Sequence, residues 1–241
     1  MPKLEIIDLD KKTSKPLKKI KDLPEELPKP PFRLLLAGTS NSGKSTFLCN
    51  LFRKEFYGKK MWRKNHVFVW SPTCELDPKI KDLIPSNQFY TDYDDGMVQS
   101  IYDEQHSILK EYGKKRLDHV LLIFDDCLTS EALMNNSAVA KNIFKTRHYN
   151  VSIVISVQKY TGVPRIIRLN CDYICIFKCL FGEIDSILSE QTHKDGKNKL
   201  KEALLEIFNT PFEFLMIDYR TQDMDKRYRK GLYDYIGNIL K

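Results

Sequence analysis

Gly38-Thr39-Ser40-Asn41-Ser42-Gly43-Lys44-Ser45 stands between an apolar run, Phe32 to Ala37, and a stretch in which Phe47, Leu48, Leu51 and Phe52 recur at helical spacing. The string satisfies G-x-x-x-x-G-K-[ST] in full. An apolar strand before it and an amphipathic helix after it are the setting that such a phosphate-binding loop requires. Glycines let the backbone curl, successive N–H groups converge on a phosphate, and the helix N-terminus adds a partial positive charge. Gly38, Thr39, Ser40, Asn41, Ser42, Gly43, Lys44, Ser45 and Thr46 are therefore the candidate nucleotide-binding residues. Lys44 is expected to reach the β- and γ-phosphates, and Ser45 to ligate Mg²⁺.

Outward from this loop, short apolar runs alternate with longer amphipathic stretches. Strands are expected over Phe32 to Ala37, His66 to Trp70, His119 to Phe124, Val151 to Val157, Tyr173 to Lys178 and Phe212 to Ile217. Several are apolar without a break, as strands covered on both faces are. Val98, Ile101, Ile108 and Tyr112 predict a helix before the third strand, and Tyr228, Leu232, Tyr235, Ile236 and Ile239 predict another near the end. The fold class is α/β, with a mostly parallel central sheet flanked by helices. Residues 1–31 read as an extended Lys/Pro-rich lead-in, because Pro24, Pro28, Pro30 and Pro31 exclude a helix or an inner strand. Residues 32–241 read as one phosphate-loop domain with a helical extension at its end.

A phosphate loop identifies a nucleotide, not a reaction. The reaction is suggested by Val120-Leu121-Leu122-Ile123-Phe124-Asp125-Asp126, an apolar strand that delivers two carboxylates at its C-terminal edge, where open parallel sheets bind their ligands. Asp125 suits a water-mediated Mg²⁺ partner, and Asp126 is positioned to orient or deprotonate an attacking water. The same two acids also suit an ordinary cap for a helix over Ser130 to Lys145. Gln158 ends the next apolar strand, where its amide either bridges the γ-phosphate or is simply a loop residue. Hydrolysis further develops negative charge that an arginine can neutralise. Arg147 is the first candidate, Arg165 and Arg168 the alternatives, and a finger acting in trans requires an oligomer.

With 39 Lys plus Arg against 32 Asp plus Glu, the 241 residues carry a formal charge of +7. Apolar runs such as Val120 to Phe124 fall far short of the roughly 18 residues that a membrane span needs, so no integral membrane segment is expected. The N-terminus has early acids and no apolar signal core, which does not indicate secretion. Cys171, Cys175 and Cys179 are four apart on an expected strand, roughly 13 Å from one to the next and too far to share one zinc. Arg53, Lys54, Lys59, Lys60, Arg63 and Lys64, interleaved with Phe56, Tyr57 and Trp62, form a dense basic stretch, with further cations in Lys194 to Lys201 and Arg220 to Lys230. Such groups suit sequence-independent phosphate contacts with nucleic acid, or a solvated face.

The ordered set Gly38–Thr46 (GTSNSGKST), Leu121–Asp126 (LLIFDD) and Thr146–Gln158 (TRHYNVSIVISVQ) resembles the viral genome-packaging ATPases of the FtsK/HerA superfamily, of the poxvirus, giant-virus, virophage and polinton type. The similarity spans roughly Phe32 to Lys178. It implies a RecA-like sheet in which the Gln158 strand lies between the phosphate-loop strand and the Asp125 strand. It also implies a homo-oligomeric ring of five or six subunits that binds ATP between neighbours, threads double-stranded DNA and works with capsid components, in the virion or at a cytoplasmic assembly site. Carried onto this sequence, Lys44 and Ser45 become the ATP and Mg²⁺ ligands, Asp125 the metal acid, Asp126 the catalytic acid position, Gln158 the sensor and Arg147 the finger. One departure is Asp126, where glutamate is commoner.

Other phosphate-loop functions have their own marks. A GTPase carries N-K-x-D, whereas Asn198-Lys199-Leu200-Lys201 lacks the acid, and the D-x-x-G of Asp234 to Gly237 falls at the end of the chain. A small-molecule kinase depends on an acceptor, and a nucleotide switch binds without turnover.

Overall fold

A computed structural model of the chain describes residues 24–52, 57, 61–62, 66–72, 88–128, 137–191 and 196–237. Its elements run β1 (Arg33–Ala37), α1 (Lys44–Leu51), β2 (Val67–Trp70), β3 (Phe89–Tyr90), α2 (Asp95–Tyr112), β4 (Val120–Asp125), α3 (Ala138–Asn142), α4 (Thr146–Tyr149) and β5 (Val151–Val157). They continue with α5 (Arg165–Asn170), β6 (Tyr173–Phe177), α6 (Phe181–Gln191), α7 (Lys197–Phe208), β7 (Phe214–Asp218), β8 (Tyr228–Lys230) and β9 (Asp234–Tyr235). The strands form one sheet in the order β3-β2-β4-β5-β1-β6-β7-β8-β9. The first six in that order are mutually parallel, and β7, β8 and β9 pair antiparallel. This is the expected α/β class, and β5 lies between β4 and β1.

The unbroken apolar runs have a direct cause. Leu34 and Leu36 of β1 enter one core while Leu35 and Ala37 enter the other, and β4 divides Leu121 and Ile123 from Val120, Leu122 and Phe124 in the same way. Successive side chains of a strand point to opposite faces, so a strand covered on both sides needs apolar residues at every position. One face carries α2, α3, α5, α6 and α7, which contribute Val98, Ile101, Val139, Ile167, Ile187 and Leu204. The other is covered by Phe47, Leu48 and Leu51 of α1, by Tyr57, Met61 and Trp62, and by Leu27 of the lead-in.

That last contribution revises the domain boundary. Residues from Pro24 onward are part of the domain rather than an extended lead-in: Leu27 and Phe32 are buried, and the Phe32 ring lies 6.1 Å from Tyr57 and 6.3 Å from Trp62. The Tyr57 hydroxyl donates to the Pro28 carbonyl. Proline, which cannot donate to a sheet, suits a strap whose carbonyls are met by side chains.

The end of the chain differs as well. The helix expected from Tyr228, Leu232 and Tyr235 is instead the β8–β9 hairpin, turning at Gly231 with φ 61°. The four-residue spacing is misleading because Tyr228 and Leu232 enter opposite cores. Ile239 lies outside the described residues. Tyr112 is also exposed, since the buried face of α2 ends with Gln105.

At the N-terminal edge of the parallel strands, Asp172 gathers three arginines. Arg33 donates from its backbone N at 2.9 Å, from Nε at 3.0 Å and from Nη2 at 3.0 Å. Arg147 donates from Nη2 at 2.7 Å, and the Arg220 Nε lies at 3.3 Å. Arg220 also donates to the carbonyls of Lys29 and Pro31, which ties the strap to this knot. Burial alone would raise the Asp172 carboxyl, but Arg33, Arg220 and Arg147 together outweigh it and hold its pKa at about 2. An acid held below its ordinary value contributes stability that is complete above that value and is lost as pH falls through the lowered one. Asp172→Asn should therefore cost about 3 kcal/mol in urea unfolding at pH 7. The gap from the parent protein should close between pH 4 and about 2; a constant gap across that range would show that the charge does not hold the knot.

Candidate active site

The phosphate loop is shaped by what surrounds it. A Cβ on Gly38 would lie 2.6 Å from the Phe177 Cβ, so no other residue fits where β1 passes β6. Gly43 has φ 113° and Asn41 φ 59°, left-handed positions that turn the loop into α1. The Gly38 N–H donates to Val157 at 3.1 Å and the Thr39 N–H to Lys178 at 2.9 Å, which fastens the loop to the ends of β5 and β6. Lys44 is only 5% exposed; its Nζ donates to the carbonyls of Gly38 at 2.6 Å and Thr39 at 3.0 Å. Burial lowers its pKa, and Asp126 and Asp125 pull it back up.

Both acids come to this edge as their strand predicts. Asp125 ends β4, opposite Ser156 of β5, and is 7% exposed. Its Oδ2 accepts from the Ser71 hydroxyl at 3.3 Å. Burial raises its pKa; Ser156, Lys44 and Ser71 act against that, and Asp126 adds to it. Asp126 takes a left-handed backbone at φ 49°, with its N–H donating to the Ser156 carbonyl at 2.9 Å. That turn brings its exposed carboxylate to Gln158, whose Nε2 donates to Oδ2 at 3.2 Å. Residues 130–136, where the alternative helix capped by these acids would begin, lie outside the described residues; α3 is capped by Ser137, which accepts from the Ala140 N–H.

Ser45, the second residue of α1, has an exposed side chain, and Thr46 follows it. The residue types fit Mg²⁺: a hydroxyl in the first turn of α1 and, at the end of β4, a buried carboxylate whose charged form burial disfavours. Ser71 and Ser156 escaped the sequence reading. Their only signal is a polar residue where a parallel strand ends or pairs with an acid, at the edge where ligands bind.

The arginines divide differently from expectation. Arg147 lies at the far edge of the sheet, bound to Asp172, with the seven residues of β5 between it and Gln158. At a rise of about 3.3 Å per residue that is roughly 20 Å, so Arg147 does not reach the phosphate loop of its own chain. Arg168 is buried, paired with Glu190 and donating to the Val163 carbonyl; it secures the loop after β5 and is not available as a finger. Arg165 is exposed at the start of α5.

The proposed basic surface also changes. Tyr57 and Trp62 are core residues, their rings 4.8 Å apart, and do not offer faces to a nucleic acid. Arg53, Lys54, Phe56, Lys59, Lys60, Arg63, Lys64 and Lys194 lie outside the described residues. Within 220–230, Arg220 is held by Asp172 and Arg229 is buried against Asp218 at 3.2 Å, so two of those cations serve the fold. Among the described residues no group of three His, Cys, Asp or Glu is arranged to hold a metal, and no helix is long and apolar enough to cross a membrane.

Burying Asp125 next to Lys44 places two charges where burial disfavours both. An acid with a raised pKa destabilises the fold at pH values above it, and the penalty vanishes below the ordinary carboxylate value. Asp125→Asn should thus raise the stability of the nucleotide-free protein near pH 7 and lose the advantage below about pH 4. Thermal unfolding at both pH values checks this, and a destabilised variant at pH 7 would contradict it.

The chain is similar to several known proteins. DNA packaging protein OPG160 of Vaccinia virus (strain Copenhagen) is 28% identical over 192 residues, spanning 77% of this chain and 67% of that protein. Uncharacterized protein 075L of Invertebrate iridescent virus 6 is 31% identical over 213 residues, spanning 83% and 76%. The DNA-packaging ATPase B204 of Sulfolobus Turreted Icosahedral Virus superposes with a TM-score of 0.59 at 16% identity, over 84% of this chain and 97% of that one. The B204 protein of a second such virus, solved with ATP-gammaS, gives 0.55 at 16% identity, over 85% and 98%. The profile of the family described as Poxvirus A32 protein matches residues 21–213, from the strap through the phosphate loop, both acids and Gln158 to the turn before β7. The chain belongs to the Poxvirus A32 protein family.

Proposed function

We propose that this protein is an ATP-hydrolysing motor that moves double-stranded DNA into a viral capsid. The observation that carries the chemistry is the meeting of Lys44, Asp125, Asp126 and Gln158 at one sheet edge, with Asp126 and Gln158 joined at 3.2 Å. The packaging role is supported by OPG160 of Vaccinia virus, a DNA packaging protein by name.

Lys44 leaves its two carbonyl partners to bind the β- and γ-phosphates, exchanging neutral acceptors for charged ones. Ser45 and Asp125 would hold Mg²⁺, directly and through water. When bound, the ion neutralises charge shared by the β- and γ-phosphate oxygens. Asp126 orients the attacking water and takes its proton, while Gln158, already bonded to Asp126, reports the γ-phosphate to the loop after β5. That loop is firmly coupled to α6: Glu183 accepts from the Thr161 N–H at 2.9 Å and from its hydroxyl at 2.6 Å. Arg147, 58% exposed at the opposite edge, serves the site of a neighbouring subunit in a ring of five or six. The ring threads the DNA and docks on capsid components.

Lys44→Ala should abolish hydrolysis, and Asp126→Asn should keep nucleotide affinity while lowering kcat by about 100-fold or more. Parent-like turnover in either variant removes that residue from the chemistry. Duplex DNA should raise the ATPase rate of the parent protein without any small acceptor, with oligomer mass measured alongside; a rate indifferent to DNA would argue against a translocase. Mixing Arg147→Ala with Lys44→Ala subunits should restore hydrolysis, because each supplies what the other lacks. Inactive mixed rings, with co-assembly demonstrated, would exclude Arg147 as the finger.

A further inference from the structure

The acids and Gln158 approach the phosphate loop from β4 and β5, which lie on one side of β1 in the sheet. A nucleotide whose terminal phosphate faces them must leave the loop on the other side, toward β6, β7 and β8. On that side lies a cleft of about 350 Å³, lined among others by Phe47, Asn50, Phe212, Glu213, Tyr233 and Asp234. Phe47 and Asn50 belong to α1, the helix that begins at Lys44. The cleft thus borders the helix that follows the loop, and nothing described so far uses it.

Phe212 is the unusual residue in its wall. It occupies the turn Thr210-Pro211-Phe212-Glu213, closed by the Glu213 N–H donating to the Thr210 carbonyl at 3.4 Å. Proline commonly precedes the left-handed residue of such a turn, which is normally glycine or asparagine. Here it is phenylalanine, at φ 65°. Left-handed backbone is costly for a bulky side chain. The ring does not recover that cost by packing, since Phe212 is 66% exposed. Its backbone nevertheless abuts the phosphate loop: a Cβ on Gly43 would lie 3.3 Å from the Phe212 Cα. A strained backbone that presents a solvent-facing aromatic ring beside a phosphate loop fits a stacking surface. Tyr233, 56% exposed, lines the same cleft.

The geometry points to this cleft as the nucleoside end of the site, with the purine base stacked on Phe212. The assignment rests on the proposed nucleotide function and adds where the base binds. Base-on-ring stacking is sequence-tolerant and typically worth enough to change affinity by about ten-fold or more. Asn50, Glu213 and Asp234 stand at the rim, within reach of ribose hydroxyls or the base edge.

Phe212→Gly separates a binding role from a folding role, because glycine accepts this backbone more easily than phenylalanine does. Equilibrium binding of ATP and of inorganic tripolyphosphate should be measured on the full chain with Mg²⁺, together with thermal unfolding. The variant should be at least as stable as the parent and bind ATP about ten-fold more weakly or worse, with tripolyphosphate affinity unchanged. Phe212→Trp should bind ATP like the parent. ATP affinity unchanged in Phe212→Gly would overturn the assignment while leaving the phosphate site standing. Equal losses for ATP and tripolyphosphate would also overturn it, because Phe212 would then support the loop rather than the base. A parent protein that binds neither ligand would defeat the nucleotide function itself.

Discussion

An ammonium group taken out of water is the constraint around which this molecule is organised. Lys44 cannot be buried unless acceptors are brought to it, and the fold brings them from two directions. Two carbonyls of its own loop hold it, at 2.6 and 3.0 Å, and the carboxylates that end β4 act on it from across the sheet edge. For this to happen the loop must pass close to β6, which only a glycine at position 38 permits, and β4 must end near the loop with β5 as its spacer. Strand order, loop composition and charge placement are thus one requirement met at three levels. The nucleotide-free site is electrostatically uneasy, as binding sites for highly charged ligands commonly are.

Much of this was legible in the amino-acid string because it depends on local pattern. The phosphate loop, the six principal strands, the acids at the end of β4 and the position of Gln158 all follow from runs of apolar residues that stop at polar ones, and the structure brings these groups to one edge. What the string concealed depends on which face a residue enters. Tyr228 and Leu232 share a helical interval yet go to opposite cores, so the expected terminal helix is a hairpin. Tyr57 and Trp62 sit among basic residues, as nucleic-acid contacts would, yet they close the core beneath α1. Arg147 precedes the strand that ends at the site, and only the direction of that strand reveals that the two lie at opposite ends.

The proline-rich lead-in shows the same principle in reverse. Composition assigned residues 1–31 to an extended tail, but residues 24–31 turn and bend, with the Leu27 N–H donating to the Pro24 carbonyl, and they help α1 to cover one face of the sheet. Hydrogen bonds between Tyr57 and Pro28, Arg229 and Glu26, and Arg220 and Pro31 satisfy carbonyls that a sheet or helix would otherwise engage. Sequence reading recognises elements by the bonds their own backbone makes; a segment held by bonds from distant side chains leaves no such signature.

The Asp172 knot has a mechanical side. It fastens the beginning of β1, which lies in the interior of the sheet between β5 and β6 and runs parallel to both. Tension entering along the strap would meet the three guanidiniums on Asp172 first and then load the ladders on both sides of β1 in shear, where many bonds share the force. An outer strand such as β9, bonded along one side only among the described residues, would instead unzip bond by bond. A machine anchored through its strap could bear load there with little distortion of the phosphate loop, while the hairpin edge would be the first part to yield.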